Sequence, residues 1–171
     1  RADHTVTIPE GFTKAQVKAR LFKVAGFKAE DVEAAITNTK DIGLPDSAGG
    51  NVEGWLAPAT YTIPDNATAT GVVASMVQKT KDRLKEAGVK EADYQQVLIV
   101  ASIAEAEVND PSYLGKVSRV IYNRLADTAG ETKGMLQMDS TVRYGTGKTG
   151  GIPTDAELAH SNNKYNTYMH V

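Results

Sequence analysis

The sequence contains no cysteine. That excludes disulfides, thiolate metal sites and cysteine nucleophiles, and leaves the redox compartment open. Histidine is scarce too: His4, His160 and His170 are scattered and form no HExxH-type pair, so no zinc site is expected. No apolar stretch approaches the roughly 18 residues of a membrane span. Charge of one sign is not in excess. The formal net charge is -2, which gives no reason to expect a nucleic-acid or anionic-membrane partner. There is no internal repeat, no low-complexity tract and no visible signal peptide, and the chain starts at Arg1 rather than Met. What remains is 171 residues, 41% hydrophobic and 23% charged. That is enough for one compact domain or two small lobes.

The hydrophobic pattern predicts an α+β protein. Thr5–Ile8 alternates as a short strand, broken by Pro9-Glu10-Gly11. Thr13 with Gln16 makes a capping-box pattern, and Val17, Leu21 and Val24 share one helical face. A second short helix fits Ala29–Thr37. Residues 43–50 form a loop, and residues 53–63 read as extended, with Pro58 demoting any central strand. This is a small β-α-α-β lobe, residues 1–66. From Thr68 the pattern turns helical: Val72, Val73, Met76, Val77, Thr80 and Leu84 recur at helical spacing and end at Gly88. The next helix, about Ala92 to Val108, is apolar on nearly every side from Val97 onward, which predicts a buried central helix. Asp110 as N-cap and Pro111 as N1 open a third helix, with Leu114, Val117, Val120, Ile121 and Leu125 inward. After Gly134 the chain reads as loop-rich. Residues 67–171 form the mainly helical lobe.

Two glutamates, Glu105 and Glu107, stand at the end of the apolar helix. A carboxylate in a last helical turn faces the negative end of the helix dipole, at a cost of about 0.3–1 kcal/mol. Burial would add a larger desolvation cost, and both effects favour the neutral acid. A glutamate that holds its proton can serve as a general acid. Two residues apart on a helix, the pair point in different directions and cannot share a proton. The plain alternative is two solvated helix-end acids paired with Lys116 or Arg119.

Five stretches, in order, resemble the YceG/MltG-like endolytic murein transglycosylases. They are Glu53-Gly54-Trp55-Leu56-Ala57-Pro58-Ala59-Thr60-Tyr61, Ala101-Ser102-Ile103-Ala104-Glu105-Ala106-Glu107, Asn123-Arg124-Leu125, the run from Leu136 to Gly145 (LQMDSTVRYG), and Tyr165-Asn166-Thr167-Tyr168. Order and spacing match over about residues 5–171. The chain departs from the pattern at Ser140, where the family has proline, at Ala106, where a basic residue is usual, and at Ala59, where aspartate is usual. It is read as a fragment. The family continues past Val171 into a Gly-Leu-Pro-Pro-Gly-Pro-like turn, and full-length members carry a membrane helix and a LysM-like domain upstream. An incomplete site follows from that reading.

The resemblance implies cleavage of the β-1,4 bond between N-acetylmuramic acid and N-acetylglucosamine within peptidoglycan strands, without water and with no metal or cofactor. It makes Glu107 the catalytic residue, acting as acid and then as base. Glu105, Asn123, Arg124, Gln137, Asp139, Tyr144, Asn166 and Tyr168 are grouped as substrate-binding: amides bond hydroxyls and N-acetyl groups, and aromatic faces stack on sugar rings. Tyr144 and Tyr168 read equally well as half-buried packing, Arg124 as a partner for a helix-end acid, and Trp55 as core. The implied setting is the outer face of a bacterial cell membrane, reached through an N-terminal anchor outside this segment. Cell-wall synthesis proteins are the implied partners.

Other motifs fail on context. Gly145-Thr146-Gly147-Lys148-Thr149-Gly150 matches GxGxxG and contains GKT, but a Walker A loop would need glycine where Val142 stands, and Gly151-Ile152-Pro153 prevents the helix a dinucleotide site requires. No GxSxG elbow accompanies Ser102. A pyridoxal-phosphate lyase would need a phosphate cup and Schiff-base lysine that the sequence does not show. A non-catalytic peptidoglycan-binding or divisome scaffold module remains the alternative of another class.

Overall fold

The structure is a computed structural model and describes residues 4–171, so the first three residues of the N-terminal lobe lie outside it. The fold is mixed α+β. Two strands, β1 (His4–Ile8) and β2 (Ala59–Ile63), pair antiparallel with Val6 opposite Tyr61. Their period-two patterns point Val6, Ile8, Tyr61 and Ile63 inward. Pro58 stands immediately before β2, so only the second half of the expected extended segment is strand. The helices are α1 (Lys14–Lys23), α2 (Ala29–Thr37), α3 (Ala69–Glu86), α4 (Tyr94–Glu107), α5 (Leu114–Ala126), α6 (Asp139–Thr146) and α7 (Asp155–Leu158).

Local chemistry sets the helix ends. Thr13 and Gln16 close a complete capping box on α1, and the Thr68 hydroxyl accepts from the Gly71 N–H at the start of α3. Gly88 follows the α3 C-cap at φ +75°, a left-handed position that glycine takes without the Cβ penalty. Asp110 caps a 3-10 turn, Pro111–Tyr113, that runs into α5.

The chain forms two compact units, residues 1–99 and 100–171. The expected division at residue 66 falls in the wrong place, because α3 packs on α2 and its Val72, Val73, Met76 and Val77 complete the first unit's core. A two-stranded sheet with two short helices has too little apolar surface to stand without it. Trp55 is fully buried in that core, its Nε1–H donating to the Gln95 Oε1 at 2.8 Å. Val24, expected on the inner face of α1, is 47% exposed, whereas Val17 and Leu21 are fully buried.

Tyr61 supplies a pH prediction. Its hydroxyl donates to the Ala57 carbonyl at 2.5 Å. Burial pushes the group up to about 12, partly opposed by Arg83. Below pH ~10 tyrosine is protonated in both folded and unfolded chains. Between about 10 and 12 the unfolded chain sheds its proton first, so stability falls as pH rises through that window. Thermal melts should therefore show the advantage of wild type over Tyr61→Phe holding level to about pH 10 and shrinking above it. A difference that grows with alkalinity would contradict this.

In the second unit, Val100, Ala104, Ile121, Leu136 and Met138 form the core, with Ile103, Leu114 and Val117 packed against it. Here α4 is not the all-round buried helix its composition predicts. Val100 and Ala104 are buried, while Ala101, Ser102, Glu105, Ala106 and Glu107 are exposed. Alanine counts as apolar in a pattern, yet exposing alanine and serine costs little, so the pattern overstates burial; Ile99, 49% exposed, departs from it as well. On α5, Ile121 is buried, but Val120 and Leu125 are 41% and 37% exposed. The segment expected to be loop-rich holds α6 and α7. For α7 the signal was present: Thr154-x-x-Glu157 is a capping box, and the structure closes it in both directions.

Candidate active site

Glu107 ends α4, and its carboxylate Oε1 accepts a hydrogen bond from the Ser140 backbone N–H at 3.3 Å. Ser140 lies in the first turn of α6, where helical N–H groups have no intrahelical partner and point outward. The acid thus meets the positive end of a second helix. The burial half of the sequence expectation is not met, since Glu107 is exposed. Glu107 lines a cavity of about 280 Å³ with Tyr113, Lys116, Val117, Val120 and Met138.

The strand of chain that presents Ser140 is tightly held. The Gln137 N–H donates to the Thr167 carbonyl at 3.0 Å, and the Met138 N–H to the Thr167 hydroxyl at 3.0 Å. The Thr141 hydroxyl donates to the Met138 carbonyl at 2.8 Å and lies 2.9 Å from the Thr167 hydroxyl. Gln137 itself adopts φ +52°, a left-handed conformation that non-glycine residues take only when their surroundings impose it. These bonds stitch residues 137–141 to residue 167 and bring two distant motifs together.

Tyr168 joins the same neighbourhood. Its hydroxyl donates to Asp139 Oδ1 at 2.7 Å. Desolvation first, then the hydrogen bond and charge of Asp139, push that hydroxyl up to about 12; the Glu107 charge adds to the push and Arg124 opposes it. Tyr168 is therefore a proton-bearing donor through the physiological range. Asp139, Glu107 and Arg124 thus all lie close enough to act on the Tyr168 hydroxyl.

The remaining sequence candidates divide. Arg124 donates to the Leu136 carbonyl, bracing the segment that leads into α6. Tyr144 is 40% exposed and meets Tyr165 edge to face, ring centres 4.8 Å apart. Glu105 is exposed on α4 and Asn123 on α5; neither lines the Glu107 cavity. Asn166 requires a correction. Instead of facing a sugar, it is fully buried. Its Nδ2 donates to the carbonyls of Glu157, Leu158 and His160, and its Oδ1 accepts from the Tyr168 N–H at 3.0 Å. Its amide is spent on closing the turn that presents Tyr168. Gly145 is needed for a similar closeness, since a Cβ there would lie 1.8 Å from Asn163 Oδ1.

Sequence reasoning missed the Ser140 N–H, because a backbone donor has no residue signature, and it missed the Thr141–Thr167 clamp. Lys116 was visible only as a partner for a glutamate. Among the described residues no cluster of His, Asp or Glu could hold a metal ion. No described helix is long and apolar enough to cross a membrane.

The Ser140 hydroxyl is buried and has no hydrogen-bond partner. An unsatisfied buried hydroxyl costs free energy. Ser140→Ala removes that cost and keeps the backbone N–H. Its denaturation midpoint is expected to rise, by an amount equivalent to about 1 kcal/mol at unchanged slope. A loss of that size would show that the hydroxyl has a partner in solution.

Known proteins share this arrangement of elements. The model of the YceG-like family matches residues 1–171. A Bacillus subtilis (strain 168) protein named endolytic murein transglycosylase is 27% identical over 187 residues, spanning 97% of this chain and 50% of that protein. A Streptococcus pneumoniae (strain D39) protein of the same name is 26% identical over 196 residues, spanning 98% of this chain and 34% of its own. A crystal structure of a YceG-like protein from Listeria monocytogenes is similar with a TM-score of 0.73 and 27% identity, over 98% of this chain and 60% of that one. The chain thus spans about half the length of the Bacillus relative and about a third of the pneumococcal one. With the whole sequence matched to one family and the fold to one of its members, the chain belongs to the YceG-like family.

Proposed function

We propose that this chain carries the catalytic residue of an endolytic murein transglycosylase. The observation that carries the proposal is the placement of Glu107: a helix-terminal carboxyl, held by the Ser140 N–H, on the wall of a cavity and beside the Asp139–Tyr168 pair. The names of the Bacillus and pneumococcal relatives supply the substrate class, the glycan strands of peptidoglycan.

The chemistry suits one carboxyl used twice. Glu107 in its acid form gives its proton to the glycosidic oxygen between muramic acid C1 and glucosamine C4. The C1–O bond breaks, its electron pair leaves with the oxygen, and the glucosamine departs with a free 4-hydroxyl. The muramic C6 hydroxyl then attacks C1, and its proton passes to the Glu107 carboxylate. A 1,6-anhydro ring closes, the glutamate is restored, and no water is consumed. Ordinary glycosidases divide these roles between two carboxylates. The Ser140 N–H fixes the carboxyl for both steps, and a charge-assisted bond of this kind strengthens as the carboxylate forms. Tyr168, kept protonated, spends its one O–H on Asp139 and so fixes that carboxylate beside Glu107.

Membrane anchorage through chain outside this segment and work alongside cell-wall synthesis proteins complete the reading. Mass spectrometry of purified murein digested by the full-length protein tests it: shortened strands with 1,6-anhydromuramic ends are expected. Strands that are bound but left intact would favour the scaffold alternative.

A further inference from the structure

The cavity beside Glu107 offers a sugar the Glu107 carboxyl and the Tyr113 ring, but most of its wall is apolar: Val108, Val117, Val120 and Met138, with one cation among the lining residues, Lys116. The Lys116 ammonium lies 5.3 Å from the centre of the Tyr113 ring. That contact steadies a flexible side chain without consuming its charge. Lys116 also stands in the first turn of α5, where the helix dipole is positive, so dipole and ammonium add for an approaching anion. An occupant that suits these walls carries a small apolar group next to a carboxylate.

Muramic acid differs from glucosamine by one substituent of that kind, the lactyl ether at C3, with a methyl group and a carboxyl-derived end. Building on the transglycosylase reading, we propose that this cavity receives the acidic lactyl arm of the muramic residue whose glycosidic bond Glu107 cleaves. The methyl packs on Val117, Val120 and Met138, and Lys116 pairs with the carboxylate. Lys116 is then a specificity residue. It registers the strand so that a muramic C1, and not a glucosamine C1, meets the acid. The carboxylate has two sources: the free lactyl group of a strand stripped of peptide, or the nearest carboxylate of a stem peptide amide-linked to the lactyl group. Glu107 opposes neither while it acts as donor, since it is then uncharged.

The test compares three strand preparations with the full-length protein: strands stripped by an amidase, the same strands with lactyl carboxylates converted to carboxamides, and strands with intact stems. Wild type should show a KM roughly two- to fivefold lower for stripped strands than for their carboxamide form, the range of a partly exposed ion pair. Lys116→Gln should raise KM on stripped strands by that factor and erase the difference. Lys116→Arg should keep the preference. An effect of Lys116→Gln confined to stripped strands assigns the free lactyl carboxylate; an equal effect on intact strands assigns the peptide carboxylate. If wild type does not distinguish carboxylate from carboxamide strands, or Lys116→Gln still does, the proposal is overturned. Failure of the transglycosylase reading looks different, since no strand is then cut. In that case the same comparison, read as Kd by fluorescence anisotropy on the Glu107→Gln protein, still decides the role of Lys116.

Discussion

Glu107→Gln is expected to abolish strand cleavage by the full-length protein while leaving its fold and melting temperature nearly unchanged. Glutamine is close to isosteric with glutamate, and its amide oxygen can still accept the Ser140 N–H that now reaches Glu107 Oε1 at 3.3 Å. Glu107 is exposed, so neither its packing nor its desolvation changes much. Catalysis is another matter. General acid–base help from one residue is typically worth about 10²–10⁴ in rate, and the proposed mechanism gives one residue both proton transfers, so the loss should exceed that range. Glu105→Gln should be milder, because two positions along a helix separate the side chains by more than half a turn. Product release by the two variants beside their thermal melts gives the comparison. Near-normal turnover by Glu107→Gln, or a dead Glu105→Gln with an active Glu107→Gln, would contradict the assignment.

Asn166→Ala should cause the largest loss of stability among the site substitutions considered. The side chain is fully buried and makes four hydrogen bonds, three to carbonyls and one from the Tyr168 N–H. Alanine leaves the Leu158 carbonyl and the Tyr168 N–H without these partners, while the Glu157 and His160 carbonyls still accept from the His160 and Asn163 N–H groups. Each unsatisfied buried group costs about 1–3 kcal/mol, partly relieved where water can reach, so a loss of roughly 2–4 kcal/mol is expected. Activity should fall further than stability alone explains, because Tyr168 loses the turn that presents it to Asp139. Asn166→Asp separates the two effects. It keeps the acceptor for the Tyr168 N–H but cannot donate to the three carbonyls, so it should be no more stable than the alanine variant. An Asn166→Ala protein within about 0.5 kcal/mol of wild type would show that the turn closes without the amide.

The sequence was most legible where a single local rule decides. The Thr13–Gln16 capping box, the Asp110-Pro111 helix start and the alternating strand at Thr5–Ile8 stand where the pattern puts them. It was least legible where the decisive group is backbone or where one residue type has two uses. Nothing in the letters Asp139-Ser140 announces that the Ser140 N–H meets Glu107, because that bond depends on the Thr167 clamp bringing residues 137–141 into place. Asn166 looks like a sugar contact in any polar motif, and only its burial shows that it braces the turn. The apolar stretch of α4 was read as buried because periodicity cannot separate a face of alanine and serine from a true core face. The family resemblance grouped Glu107, Asp139 and Tyr168 from three motifs far apart in sequence, and the structure brings these three close in space.

The central claim is that one carboxyl, Glu107, cleaves the strand without water. The rival chemistry is hydrolysis, with Asp139 activating a water. Digestion of purified murein by the full-length protein in ¹⁸O-enriched water, followed by mass spectrometry of the new muramic ends, separates the two. The account predicts 1,6-anhydro ends that contain no ¹⁸O and that disappear in Glu107→Gln. Reducing ends carrying ¹⁸O, formed by wild type as the main product, would contradict it.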